Sequence, residues 1–262
     1  MIYEKLPVVL LSTLAAEKTQ TTNSQIAEYI LSHREEIRTI GIQELAERCH
    51  VGTGSISRFC RDVGFRDFSE LRRLLEGTSY RFETVQEDGR AAVDRWTDEL
   101  VKALRKVQAS LDLNKVQALC ADMRAYKKIS AYGMLKAESA AINLQADMLM
   151  LGRQVRTSVA YSDQIRQILE AGKDELIIIF SYTGSYFEYQ DFRIREKHLA
   201  LPKIWMISGS KKAKPWFVND VIRFDSDQEQ LSHPYQLEMA ESIIAQMYAA
   251  EKPSSEEQIP ML

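Results

Sequence analysis

Two stretches of this 262-residue chain hold side chains whose type and spacing suit chemistry. The first, residues 48–73, carries Arg48, Arg58, Arg61, Arg66, Arg72 and Arg73 against Asp62, Asp67 and Glu70. Within it Thr53, Gly54, Ser55, Ser57, Arg58 and Arg61 line the solvent face of a helix predicted to begin after Gly52. Small polar residues at the start of such a helix permit close approach to the floor of a DNA groove. Guanidinium forks further along can donate to guanine edges or to phosphates. Arg72 and Arg73 suit phosphate contacts better than base contacts. An amphipathic helical pair with a solvated basic face has the same apolar spacing; turn, small residues and arginines in one register favour DNA.

The second stretch is Ser181-Tyr182-Thr183-Gly184-Ser185, which follows the most apolar strand candidate and leads into a helical pattern. Hydroxyls, a permissive glycine and the N–H groups of a helix start suit a phosphate, at the edge where open α/β sheets bind ligands. Turns are also rich in Ser and Gly for conformational reasons, and the loop alone leaves both readings open. Cys49, Cys60 and Cys120 form no CxxC pair, and His33, His50, His198 and His233 form no HxxxH or HExxH pattern. No metal, disulfide or cofactor framework is therefore expected.

These side chains need elements to position them. Thr22-Asn23-Ser24-Gln25 offers a capping box for a helix from Ser24 to about His33. Leu45, Cys49, Ile56 and Phe59 would form the shared core of the following helix pair, with small Ala46 at their crossing and Val51 packing from the turn. His50 would take the left-handed turn position, Gly52 the N-cap, and Gly64 the stop. Phe65 and Phe68 would pack a fourth segment. The expected organisation is a helix-turn-helix domain over 1–77, a polar linker over 78–89, an α/β domain over 90–252 and a tail over 253–262.

In the α/β part, helices are expected at 91–111 and 113–123. Strands are expected at 128–132, 155–159, 176–180, 204–207 and 221–224, alternating with helices at 138–151, 162–171, 186–199 and 235–251. That alternation predicts a parallel sheet covered on both faces, an α/β sandwich. The net charge of −3 does not announce a nucleic-acid binder, so the positive charge is local. Leu6–Ala16 is apolar but interrupted by Pro7, Ser12 and Thr13, with no A-x-A site after it. No stretch reaches the roughly 18 apolar residues of a membrane span, and a cytoplasmic protein without membrane contact is expected.

Ile26-Ala27-Glu28-Tyr29-Ile30, Leu45-Ala46-Glu47, Ser57-Arg58-Phe59-Cys60 and Gly64-Phe65 together resemble the RpiR family of bacterial transcription regulators. The resemblance continues through Ile129–Gly133, Gly172-Lys173-Asp174 into Leu176–Gly184, Pro202–Ser208 and Tyr235–Ala250. It implies an all-α helix-turn-helix domain followed by a sugar isomerase (SIS) domain, a three-layer α/β/α sandwich with a parallel sheet. It also implies a homodimeric or homotetrameric regulator, binding a double-stranded, near-palindromic DNA operator and sensing a phosphorylated sugar or amino sugar.

The SIS pattern S-x-S-G-x-T-x-[DE] reads here Ser181 to Glu188: Thr183 keeps a hydroxyl, Gly184 and Glu188 match, and Tyr186 stands where a short Thr is usual. Gly133 survives in the first loop and Lys136 offers a charge there, but Met134 and Leu135 stand where the family has Gly and Ser. The implied ligand set is Gly133, Lys136, Ser181, Thr183, Gly184, Ser185, Tyr186 and Glu188, although a lysine such as Lys136 is more often a solvated surface residue. Met148, Met150 and Leu151 read as core or subunit interface, Trp205 and Trp216 as packing residues, and His233 as structural. No enzyme is expected. Two alternatives stand beside the regulator: a degenerate SIS domain that only dimerises, and a sugar-phosphate isomerase with Glu138, Glu188 and His233 as candidate bases.

Overall fold

The computed structural model describes residues 5–18, 20–76, 88–189, 199–229 and 231–250. The chain forms two compact units. The first gathers Met1–Gln86 with Ser158–Gln167 and Phe187–Ile194; the second holds Glu87–Thr157, Ile168–Tyr186 and Arg195–Leu262. The expected linker at 78–89 lies almost wholly outside the described residues, as does the tail.

Among the described residues, six helices make up the N-terminal part of the first unit: α1 (Lys5–Ala16), α2 (Thr22–Ser32), α3 (Arg34–Ile37), α4 (Ile42–Arg48), α5 (Thr53–Asp62) and α6 (Phe68–Glu76). Its core is apolar: Leu6, Val9, Leu10, Ile26, Ile30, Leu45, Ile56, Phe59, Leu71 and Leu75 are all buried. The cap of α2 falls one residue earlier than the sequence suggests. Thr21, not Thr22, accepts from the Ser24 amide at 3.1 Å, and its hydroxyl donates to Glu17 at 2.8 Å. α1 is pinned to the later segment through Ser12, whose Oγ donates to the Val159 carbonyl and accepts from the Tyr161 amide, both at 3.1 Å.

The second unit is built, among its described residues, on four parallel strands in the order β1-β2-β3-β4: β1 (Lys128–Tyr132), β2 (Glu175–Phe180), β3 (Lys203–Ser208) and β4 (Asp220–Arg223). Consecutive residues of β1, β2 and β3 are buried, so both faces of the sheet are covered. The helices here are α7 (Gly89–Ser110), α8 (Leu113–Ala125), α9 (Glu138–Met150) and α11 (His233–Ala250); α10 (Tyr161–Glu170) has its first residues in the helical unit.

Two expectations change. The strand expected at 155–159 reduces to a single bridge, Arg156 beside Ser130, with Ala131 donating to Arg156 at 2.8 Å and Arg156 to Ile129 at 2.9 Å. An outermost strand has a ladder on one side only, and from Ser158 the chain already belongs to the other unit. Of the helix expected at 186–199, the structure describes a 3₁₀ turn, Tyr186–Tyr189, and Leu199; residues 190–198 lie outside the described residues.

The bridge fixes a topological point. From β1 the chain goes outward to Arg156 and then returns to β2 on the other side of β1, so the order reverses between β1 and β2. Ligands of open α/β sheets bind at such a reversal, beyond the carboxyl ends of the strands.

Candidate functional site

In the helical unit the turn between α4 and α5 has the anticipated form. His50 adopts φ +54°, Val51 donates to the Ala46 carbonyl at 2.9 Å, and Gly52 takes the N-cap without a side-chain acceptor. Burying Leu45, Ala46, Ile56, Phe59 and Cys60 turns the opposite face of α5 outward. Thr53, Gly54, Arg58 and Arg61 are exposed there, and Ser55 and Ser57 half-buried.

The arginines of the basic stretch divide into two groups. Arg48 pairs with Glu36 and with Glu44 at 2.7 Å, and Arg66 with Glu70 at 3.5 Å. Arg58, Arg61, Arg72 and Arg73 form no ion pair among the described residues. An unpaired guanidinium keeps its donors for an external anion. Cys60 is buried, its thiol pushed up to about 12 by burial, so no nucleophilic thiolate is available there.

In the α/β unit, the β2 loop (181–185) and the β3 loop (208–212) lie side by side because Phe180 pairs with Ile207. The Ser208 hydroxyl donates to the Tyr182 carbonyl at 3.2 Å. Gly184 has φ +71°, and a Cβ there would stand 3.4 Å from Ser210 Cβ. Ser181 and Ser185 are buried and Thr183 half-buried. The Tyr186 amide donates to Ser181 Oγ at 3.2 Å, while the Tyr186 side chain is only 2% exposed and so is packed into the interior. Glu188 is exposed and is grouped with the helical unit, whereas the other ligand candidates are grouped with the α/β unit.

Gly133 is needed for its own turn, since a Cβ there would meet the Ala137 carbonyl oxygen at 2.3 Å. Leu135 is held at φ +53°, a conformation costly for a branched side chain, and Lys136 is exposed. Glu138 is buried with Oε1 unpartnered, and burial raises its carboxyl to about 7.

Several residues here escaped the sequence reading. Lys212 reaches across from the β3 loop and donates to Ser185 Oγ at 2.8 Å. Arg223 donates to the carbonyls of Ser210 at 3.2 Å and Lys212 at 2.8 Å. Below the loops Tyr182 stacks on His233 at 4.8 Å and hydrogen-bonds Ser226, while Gln236 donates to Tyr182 at 3.3 Å and to Glu229 at 3.2 Å. The lysines after Ser208-Gly209-Ser210, just beyond a strand end, were the signal available for this cluster.

The remaining candidates separate cleanly. Met148 is core, Met150 and Leu151 are exposed, and Trp205 is buried with its indole donating to Asp122 at 2.7 Å. Trp216 is exposed, and His233 is buried. Among the described residues no group of His, Cys, Asp and Glu is placed to hold a metal, and no helix is long and apolar enough to cross a membrane.

Residues 10–80 match the helix-turn-helix domain of the rpiR family. This N-terminal domain is an rpiR-family domain. Curated relatives that the chain matches include an HTH-type transcriptional regulator of Caldanaerobacter subterraneus subsp. tengcongensis, 26% identical over 63% of this chain and 61% of its own length. HexR of Escherichia coli K12 is 24% identical over 64% of this chain and 61% of its own length. The chain thus spans about three-fifths of these relatives. GlvR of Bacillus subtilis is 35% identical over 27% of this chain and 31% of its own length. Among solved structures, a ligand-bound protein of Escherichia coli CFT073 matches with a TM-score of 0.50 at 13% identity, covering 63% of this chain and 92% of that one. At that identity the likeness concerns the α/β fold alone.

Proposed function

We propose that the chain is an RpiR-type transcription regulator that reads double-stranded DNA through α5 and responds to a phosphorylated sugar held by its α/β domain. The observation that carries this reading is the exposed face of α5, where Arg58 and Arg61 have no ion-pair partner among the described residues and stand beside small Thr53, Gly54 and Ser55 in an rpiR-family domain. A homodimer or homotetramer places two such helices about 34 Å apart on a near-palindromic operator. Exposed Leu149 and Met150 on α9 suit a subunit contact. The protein acts by binding, without a catalytic step of its own.

The test is a gel-shift titration against DNA upstream of the protein's own gene and its neighbours. Arg58→Ala and Arg61→Ala should each weaken binding by about 1–3 kcal/mol, roughly 5- to 150-fold, with the circular dichroism spectrum unchanged. Wild-type affinity in both variants would remove α5 as the reading element.

A second reading, an α/β domain that only dimerises, draws on the β1 loop, where Leu135 is strained and Gly133 is consumed by its own turn. Thermal-shift screening with hexose and N-acetylhexosamine 6-phosphates separates the two, because a ligand that binds only the folded state raises the melting temperature.

A further inference from the structure

We infer that two copies of this chain meet through the outward face of α9, as an antiparallel pair of α9 helices with Ala146 at the two-fold axis. The inference rests on the homo-oligomer in the reading above, and adds which residues make the contact and in which sense the helices run.

α9 is apolar on two sides. Ala140, Ala141, Leu144 and Met148 are buried. On the other side Ile142, Ala146, Leu149 and Met150 are exposed, Leu149 by 68% and Met150 by 79%. Leu151, just past the helix end, is exposed as well. A surface helix ordinarily turns charged side chains to water, and one that is apolar all round is buried in a core or an assembly. The only charges of α9 are Glu138 and Asp147. Glu138 is buried, and Asp147 lies beside the buried Glu241 of α11, so neither interrupts the outward face.

A face without a cation does not suit DNA, whose phosphates call for Lys and Arg. A second copy suits it, because the face is complementary to itself. Residues seven apart on a helix share one edge of a face. Ile142 and Leu149 form one edge, Asn143 and Met150 the other, and Ala146 lies between them. A small residue at that point lets two helix axes approach to about 8 Å. With the helices antiparallel, Ile142 of each copy packs on Leu149 of the other, Asn143 meets the adaptable Met150, and the helix dipoles attract. Parallel helices would set Ile142 beside Asn143 and make the dipoles repel. The antiparallel contact is isologous, with the two-fold symmetry that a near-palindromic operator mirrors.

The test uses the full chain. Sedimentation over a dilution series should show a dimer or a multiple of it. Leu149→Asp should raise the dissociation constant of the α9 contact about a hundredfold or more, because each copy would then bury a carboxylate without a partner. Its circular dichroism spectrum should match wild type, since the side chain is exposed in the single chain. Ala146→Cys should give a disulfide-linked dimer on oxidation, because residues at the axis come within the roughly 4.4–6.8 Å between Cα atoms that a disulfide spans. Native Cys49, Cys60 and Cys120 are buried and leave the background clear. Ile142→Cys chains mixed with Leu149→Cys chains should link to each other, whereas Val101→Cys on the exposed side of α7 should stay unlinked. An oligomeric wild type in which Leu149→Asp changes nothing, or in which Val101→Cys links and Ala146→Cys does not, overturns the α9 contact and leaves the homo-oligomer standing. Linked Ala146→Cys without the mixed link overturns the antiparallel sense. A wild type that is monomeric throughout overturns the homo-oligomer and this inference together.

Discussion

Arg48 and Arg58 carry the same group and do different work. Arg48 is held between Glu36 and Glu44, whereas Arg58 extends from α5 without a carboxylate partner among the described residues. Arg48→Ala should therefore lower the urea midpoint of the helical unit, and Arg58→Ala should leave it in place; equal midpoints in both variants would contradict the division. Composition counts arginines and cannot see this division, which depends on which acids lie beside each one, Glu44 a turn earlier on α4 and Glu36 on α3.

Carboxyl groups give a second residue-scale prediction. Burial raises Glu138 to about 7, and burial together with Asp147 raises Glu241 to about 8. In the unfolded chain both titrate near about 4.3, so the folded form holds their protons longer and its stability drains as pH rises through these values. Glu241→Gln should thus gain stability over wild type progressively from about pH 5 to pH 8.5 in urea unfolding. Parallel curves for the two proteins across that range would show that Glu241 is not protonated in the fold.

At the scale of elements, the turn between α4 and α5 was legible because its demands are local. A residue at φ +54° after a helix end narrows the choice to Gly or a few polar types, and His50 is one of these. His50→Gly should stabilise the helical unit by up to about 1 kcal/mol in thermal or urea unfolding. Thr21→Ala should cost about 1 kcal/mol, and Thr22→Ala less, because only Thr21 caps α2. Two adjacent threonines made the cap position ambiguous by one residue.

The sheet was legible for a different reason. β2 is an unbroken apolar run, and only burial on both faces explains it. The edge segment at 155–159 was not, because alternation in sequence does not reveal whether a partner strand lies beside it. Nor was the contact of Lys212 with Ser185, which arises from the β2–β3 register and has no local signature. Tyr186 looked like a displaced hydroxyl in the loop, yet its ring found a place in the core.

At the scale of the molecule, the helical unit draws residues from three separate parts of the chain. α1 uses Ser12 to bind the backbone of Val159 and Tyr161, and Tyr161 meets Tyr189 edge to face at 6.2 Å. A fragment of residues 1–77 should therefore melt lower and less cooperatively than the same helices in the full chain, as followed by circular dichroism. An identical melting profile would show that the later segments contribute nothing to its stability. Sequence order suggested a cut near 77 because the polar run there looks like a boundary, whereas spatial grouping follows buried side chains.

The three-part composition of that unit bears on how such a protein can be re-engineered or can diverge. A transplant of residues 1–77 from a relative would bring a foreign α1 against native partners at Val159 and Tyr161, and the graft would inherit a mismatch there. Changing only the outward positions of α5, from Thr53 to Arg61, leaves every one of those partners untouched. Under the reading proposed for α5, new operator preferences are therefore cheaper to reach by point changes on one helix than by exchange of whole cassettes.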